Sequence, residues 1–230
     1  APVKIYLDVI ELSGETKEKF KDAIDWDTLS KHAGAAATKP NIDEAHSRIH
    51  GSIRDFNDHR QSITLVRISD YGANGLVGDE DDENKNFFLF AKAILESSDD
   101  KNTQGSFGLG KGVLYHLSNL RTVLMSSSIS IDNKLVDRVF GRSELPSHKL
   151  DEKGTEDWNP KQKWDGSGFF GASDKRDTPR SESVFGISDA LQKDLFLNRD
   201  QSLGTGTTAI SLGFNTPYGD ASSTVEGLAA

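Results

Sequence analysis

Residues 62–76, SITLVRISDYGANGL, constrain the fold most: a run of β-branched and apolar residues ends on an aspartate and a glycine turn. Two glycine-rich segments follow in order, GSFGLGKG at 105–112 and GTGTTAISLGF at 204–214. An acidic strand end and two loops in which backbone can approach a ligand closely imply a built site, not simple punctuation between elements.

Around this centre the chain reads as alternating helices and strands without a regular βαβ rhythm. Residues 3–12 alternate, with Val3, Ile5, Leu7 and Val9 on one face and Lys4, Tyr6 and Asp8 on the other, which predicts a half-buried strand. One helix is expected over 15–29, a loop over GAAATKPN at 34–41, and an amphipathic helix from Ile42, where Ala45, Ile49, Ile53 and Phe56 recur at helical spacing. The acidic run 79–84 reads as a solvated loop, and 86–98, NFFLFAKAILESS after its lysine, as an apolar helix. Leu114, Leu117 and Leu120 mark a further helix beginning near Val113. Residues 122–131 and 135–141 flank Asp132-Asn133-Lys134 and predict a hairpin; a helix near 188–196 leads to a last strand at 207–214. The hairpin implies antiparallel pairing, so the expected class is α+β. The domain is expected over 1–214, with the polar stretch 150–182 as an insertion and 215–230 opening a following segment. The first residue is not Met, and the chain reads as a piece of a longer protein.

Composition excludes several classes. With 27 Lys+Arg against 36 Asp+Glu the net charge is −9, which disfavours a general nucleic-acid or membrane surface. Cysteine is absent, so disulfides, thiolate zinc sites and thiol nucleophiles are excluded, and a reducing cytoplasm fits. No apolar run approaches a membrane span.

The chemistry lies in the three glycine-linked segments. An ionised carboxylate only accepts hydrogen bonds, so Asp70 at a strand end suits the exocyclic amino group of adenine. Guanine would set a carbonyl oxygen against it and leave two acceptors unpaired. Gly72 and Gly75 would let the turn lie flat beside the base; alone, the same aspartate reads as an Asx turn. Gly105, Gly108 and Gly110 would let backbone approach an anion, with Lys111 adding charge and the helix at Val113 its N-terminal N–H groups. Gly105, Gly110 and Lys111 also match GxxxxGK, but Gly112 stands where a Walker loop needs Ser or Thr, and no strand precedes it. Gly206-Thr207-Thr208 opens a strand whose hydroxyls could support Asp70. His46 and His50, four apart, lack a third metal ligand in sequence and read as surface histidines.

Together these motifs resemble the GHKL, or Bergerat-fold, ATPase superfamily. Asp70-Tyr71-Gly72-Ala73-Asn74-Gly75-Leu76 is similar to its D-x-G-x-G box with one extra residue. Gly105, Gly108 and Gly110 match its lid box, and Gly206 and Thr207 its late G-T strand. The texture is closest to bacterial members described only as ATP-binding. The resemblance implies a two-layer α/β sandwich, a mixed, mostly antiparallel sheet with helices on one face and ATP beneath a lid. It implies that Asp70 binds adenine, that Gly72, Asn74 and Gly75 border the base, and that Ser106, Phe107, Gly108, Leu109, Gly110 and Lys111 wrap the phosphates after Gly105. Thr207 or Thr208 would support Asp70. It further implies Mg2+ and slow ATP hydrolysis driving a lid and dimerisation switch, with a homodimer or partner protein, in the full-length protein.

One part departs from the family: a helix bearing a general-base Glu and a magnesium-binding Asn. Asn41, Glu44 and Asn57 are the nearby candidates and sit wrongly for it, so the helix is expected upstream of Ala1 and the catalytic residues stay unassigned. A chain of this kind would bind nucleotide weakly. The alternative expectation is a degenerate module that kept the fold for protein interaction without turnover.

Overall fold

The computed structural model describes residues 2–38, 44–93, 107–150, 163–173 and 181–214, at 44–45 and 107–111 by backbone alone. The chain is α+β, as expected. Its elements are β1 (Lys4–Leu12), α1 (Gly14–Ala23), α2 (Trp26–Ala36), α3 (Glu44–Asn57), β2 (Ile63–Tyr71) and a single π-turn at Phe88–Lys92. These are followed by α4 (Phe107–Leu117), β3 (Thr122–Ile131), β4 (Lys134–Glu144), β5 (Ser167–Phe170), β6 (Ala172–Ser173), β7 (Ser181–Glu182), β8 (Val184–Phe185), α5 (Asp189–Asp194) and β9 (Gly206–Leu212). The main sheet runs β1-β2-β9-β3-β4-β5, with β8 also on β4, and its pairings are antiparallel.

Register sorts the sheet into two faces, because directly opposed residues share one. On the first, Leu12, Leu65, Leu124, Ile210 and Leu212 pack against Phe20, Ile24, Leu29, Ile49 and Phe56 from the layer of α1, α2 and α3. On the second, Val123, Met125, Phe140 and Ala209 meet Phe87 and Ala91 of the π-turn segment, with Leu114 of α4 alongside. β9, last in sequence, therefore lies between β2 and β3 and carries a residue to both cores.

Several boundaries differ from the sequence reading for identifiable reasons. The expected helix 15–29 is two helices, broken at Asp25, which takes φ +50°. The expected loop at 34–41 is helical as far as Ala36, because Ala33 and Ala36 are fully buried and small enough for α2 to lie close against α3. Lys17 of α1 is fully buried and donates to the carbonyl oxygens of Asp55, Asp58 and Gln61 at 2.6, 2.9 and 3.0 Å, capping the end of α3. The helix expected over 86–98 stops at Lys92, with Ala93 extended at ψ 135°. The buried Arg142 guanidinium donates to the carbonyls of Ala91 and Lys92 at 3.3 and 2.5 Å and takes over the satisfaction of that helix end. The expected hairpin forms, but its turn is the two residues Asp132 and Asn133, at φ +49° and +60°, the two left-handed positions of a type I′ turn; Lys134, expected in the turn, pairs with Ile131. Part of the expected insertion, 167–170, joins the sheet as β5.

In β1 the expected faces are exchanged. Ile10 and Leu12 face the packed core, whereas Ile5 and Leu7 are 72 % and 49 % exposed. The acidic run is also not wholly solvated. Glu80 pairs with the buried Arg138 at 2.8 Å and Lys92 at 2.7 Å, and accepts from Ser183 N at 3.1 Å.

Candidate functional site: a half-buried aspartate beside a cavity

β2 extends through Asp70, so the carboxylate stands where the strand ends and the glycine turn begins. It borders a cavity of about 540 Å3, lined also by Asn74, Gly75, Asn86, Phe90, Leu114 and Thr207. That volume lies within the range of small-molecule sites, and apolar walls with a few placed polar groups are their usual make-up.

Asp70 is held on one side only. Its Oδ1 accepts from the backbone N–H of Thr207 at 3.1 Å, while Oδ2 is buried without a hydrogen-bond partner among the described residues. Burial pushes the Asp70 carboxyl above its ordinary value; the Thr207 N–H and the Arg199 charge oppose that shift without cancelling it. A buried oxygen with no donor is costly, and it is what a ligand amino group would relieve.

The surrounding backbone is shaped around this group. Gly206 takes φ +147°; a Cβ there would overlap the Asp70 carbonyl oxygen and lie 2.6 Å from Oδ2, so no other residue fits. Gly75 takes φ +73°, and a Cβ would stand 2.7 Å from Ser127 Oγ, which instead accepts from Leu76 N at 2.7 Å and holds the turn against β3. Asn86 donates to Gly75 O at 3.3 Å. Farther along the turn, Arg138 donates to the carbonyls of Leu76 and Gly78 at 3.2 and 2.5 Å.

Arg199 was not legible as a site residue. Its guanidinium lies on the opposite face of the sheet and donates to Asp70 O and Thr208 Oγ1, each at 2.7 Å, and to Ser128 Oγ at 3.1 Å. It stacks on Tyr71, 4.3 Å from the ring centroid. No local pattern in NRDQSLG signals this; its partners come from β2, β3 and β9. Ile5 and Phe90 also line the cavity and carry no chemical signature in sequence.

The remaining expected site residues divide. Asp70, Asn74, Gly75 and Thr207 come together at the cavity. Gly72 does not line it: at φ +88° it bonds Thr205 O at 2.8 Å and lies against Pro2, so its role is to turn the chain. Thr208 is corrected as well. Strand alternation puts it on the far face, where its hydroxyl meets Ser69 Oγ at 2.9 Å and Arg199. Support for Asp70 comes from the Thr207 backbone; the Thr207 hydroxyl lies 3.2 Å from Ser127 Oγ. Gly105 and Ser106 lie outside the described residues. Phe107, Gly108, Leu109, Gly110 and Lys111 were expected in a loop ahead of a helix at Val113, yet they form the first turns of α4. Once Leu114 is docked, with its carbonyl accepting from Ser211 Oγ at 2.8 Å, the helix has a nucleus from which to grow back through the glycines.

A second cavity of about 280 Å3 lies on the other face beside His32, His148 and Trp164. His148 Nδ1 donates to Pro146 O at 2.9 Å, which leaves His148 Nε2 to accept from His32 Nδ1 at 2.8 Å. The two histidines are far apart in sequence, and nothing local announces the pair. His46, expected at the surface, is 8 % exposed, and His50 binds Ala37 O at 3.0 Å. Among the described residues no group of three His, Asp or Glu side chains is placed to hold a metal ion, and no helix is long and apolar enough to cross a membrane.

Compared with protein-family models, curated proteins and solved structures, the chain matches none. The functional reading therefore rests on the site. Its lining sets the Asp70 carboxyl, with one oxygen unpartnered among the described residues, against apolar walls, a make-up that fits a flat base carrying an amino group. It does not supply a donor set for Mg2+: beyond Asp70, the described lining offers no second carboxylate.

Proposed function

We propose that the chain is an adenine-nucleotide-binding domain of the GHKL type. The observation that carries this reading is the Asp70 carboxyl at the cavity, with Oδ1 fixed by Thr207 N and Oδ2 left without a hydrogen-bond partner among the described residues. The amino group of adenine donates to Oδ2 and removes the penalty of a dry, unpaired acceptor. Asn74 and Gly75 border the base, and the apolar Phe90, Leu114 and Ile68 close over its faces and exclude water. In the fuller reading the nucleotide is ATP, the phosphates extend toward α4, Mg2+ accompanies them, and slow hydrolysis drives a lid and dimerisation switch in the full-length protein. The described lining supports binding and orientation of the base, and no hydrolytic step is assigned to it.

Isothermal titration with a non-hydrolysable ATP analogue tests the proposal. Expected are saturable binding by millimolar ligand, at least about tenfold weaker binding of the GTP analogue, and loss of about 10- to 100-fold in affinity for Asp70→Asn. Equal affinity of wild type and Asp70→Asn, or of ATP and GTP analogues, would overturn it.

A further inference from the structure

Among the described residues β1 pairs with β2 alone and forms an outer edge of the sheet, so its far side presents backbone donors and acceptors that no described strand pairs. Edges of this kind are normally blunted by charge, proline or a covering element. Here four of the ten large apolar side chains exposed among the described residues fall in 3–7: Val3, Ile5, Tyr6 and Leu7.

We propose that this edge is a homodimer surface, on which a second copy of the chain adds its own β1 antiparallel and the two sheets become one. The strand's sequence selects the register. A two-fold axis perpendicular to the sheet keeps each face continuous, so it must run midway between the two strands and level with one residue of β1, and residues equally spaced about that residue oppose each other. With the axis at Tyr6, Lys4 stands opposite Asp8 of the partner subunit, and Asp8 opposite the partner's Lys4. On the other face Ile5 opposes Leu7 of the partner subunit, and Val3 opposes Val9 of the partner subunit. Every opposed pair is then either opposite in charge or apolar, the two combinations that stabilise a ladder. An axis at Leu7 sets Lys4 against Ile10 of the partner subunit, and one at Ile5 sets it against Tyr6 of the partner subunit; both lose the charge pairs.

Asp8 is available for this role: its bond with Arg67 at 2.9 Å leaves its side chain 39 % exposed. The interface is small by the standard of stable dimers, so association is reversible, with a dissociation constant on the order of tens of micromolar. The contact also reaches the Asp70 cavity, because Ile5 lines it and Leu7 of the partner subunit would stand beside Ile5. None of this depends on nucleotide binding, and the test contains no nucleotide.

Sedimentation velocity on the chain from about 5 to 500 µM should show a monomer–dimer equilibrium. Lys4→Asp places Asp opposite Asp, and Asp8→Lys places Lys opposite Lys. Each should weaken the dimer at least about tenfold alone, and an equimolar mixture should restore it as a heterodimer, because both pairs are again opposite in charge. Since the chain has no cysteine, Tyr6→Cys places single thiols across the axis within disulfide reach and should cross-link under mild oxidation. Lys4→Cys should not. A wild-type monomer at all concentrations would overturn the proposal, including one whose edge is held by another segment or a different protein. So would failure of the mixture to dimerise while both charge variants fold by circular dichroism. If Asp8→Lys does not fold, cross-linking of Lys4→Cys as readily as Tyr6→Cys overturns the register, and the reverse supports it.

Discussion

Asp70 and Glu80 lie at either end of one connection, both half-buried, and the protein treats them in opposite ways. Around Glu80 every charge is answered: Arg138 and Lys92 pair with it, Ser183 donates to it, and Arg138 lies 3.4 Å over the Phe87 ring. Burial by itself would raise its pKa, but the bonds from Lys92, Ser183 and Arg138 outweigh burial and hold the carboxyl below its ordinary value. Asp70 keeps one oxygen unanswered, and there burial wins. The first carboxylate fastens the turn; the second is left expensive in a place where a ligand can relieve it. That contrast separates a structural acid from a binding one more sharply than burial alone, which is similar for both.

The most severe break of the comparison is on the structural side. Glu80→Gln removes the negative charge but leaves Arg138 and Lys92, 3 % and 8 % exposed, facing each other without it. Breaking a buried pair of this kind costs about 3–5 kcal/mol, to be read as a fall in the urea midpoint at unchanged slope. Next comes Gly206→Ala, which forces a side chain into φ +147° and against the backbone carbonyl oxygen and Oδ2 of Asp70. A loss of roughly 1–3 kcal/mol is expected, together with loss of nucleotide binding, because the methyl group displaces the carboxylate itself. A variant of wild-type stability and affinity would show that the strand opening is not built around Asp70.

Asp70→Asn should separate the two carboxylates most cleanly. It keeps an acceptor for Thr207 N while removing the buried charge, so nucleotide affinity falls about 10- to 100-fold, yet the ligand-free fold becomes more stable. The pH dependence follows in sign. Because the folded pKa of Asp70 is raised above 3.8, the native state holds the proton more tightly than the unfolded chain. Its contribution therefore erodes as pH rises from the ordinary carboxylate value through the raised one. For Glu80, whose folded pKa lies below 4.5, the contribution is complete above that value and is lost as pH falls through the lowered one. Denaturation of wild type and Asp70→Asn side by side should show the variant's advantage growing with pH over that interval and then levelling. An advantage that shrank instead would mean that Asp70 is a satisfied structural acid.

The same contrast explains how much of the molecule sequence could reveal. Asp70, Gly75 and Thr207 were legible because their roles are local: a strand end, a turn that needs positive φ, and a strand opening. The α+β class was legible, and so was the hairpin of 122–131 and 135–141 about Asp132-Asn133-Lys134, although Lys134 belongs to the returning strand and that strand runs on to Glu144. Glu80 looked like one more residue of a solvated acidic run because its partners, Arg138 and Ser183, come from β4 and the approach to β8. Arg199 and the His32–His148 pair were hidden for the same reason, since neither partner is near in sequence. The segment 107–111 differs in form alone: glycine spacing signals backbone freedom, and with Leu114 docked those residues open α4 instead of a loop.

The smallest expected effect concerns which face of β9 serves the cavity. Thr208 was as good a candidate as Thr207 from sequence, but its hydroxyl bonds Ser69 and Arg199 on the side away from Asp70 Oδ2. Thr208→Val keeps shape and backbone while leaving one Arg199 N–H without its acceptor, so a loss of about 1–2 kcal/mol in stability is expected. Nucleotide affinity should move by less than about threefold, because Asp70 Oδ1 is held by the backbone of the preceding residue. Thr207→Val should likewise preserve that anchor, since the amide survives the substitution. If Thr208→Val weakened binding as much as Asp70→Asn, the guanidinium beneath the sheet would be setting the carboxylate's position, and the two faces would act as one device.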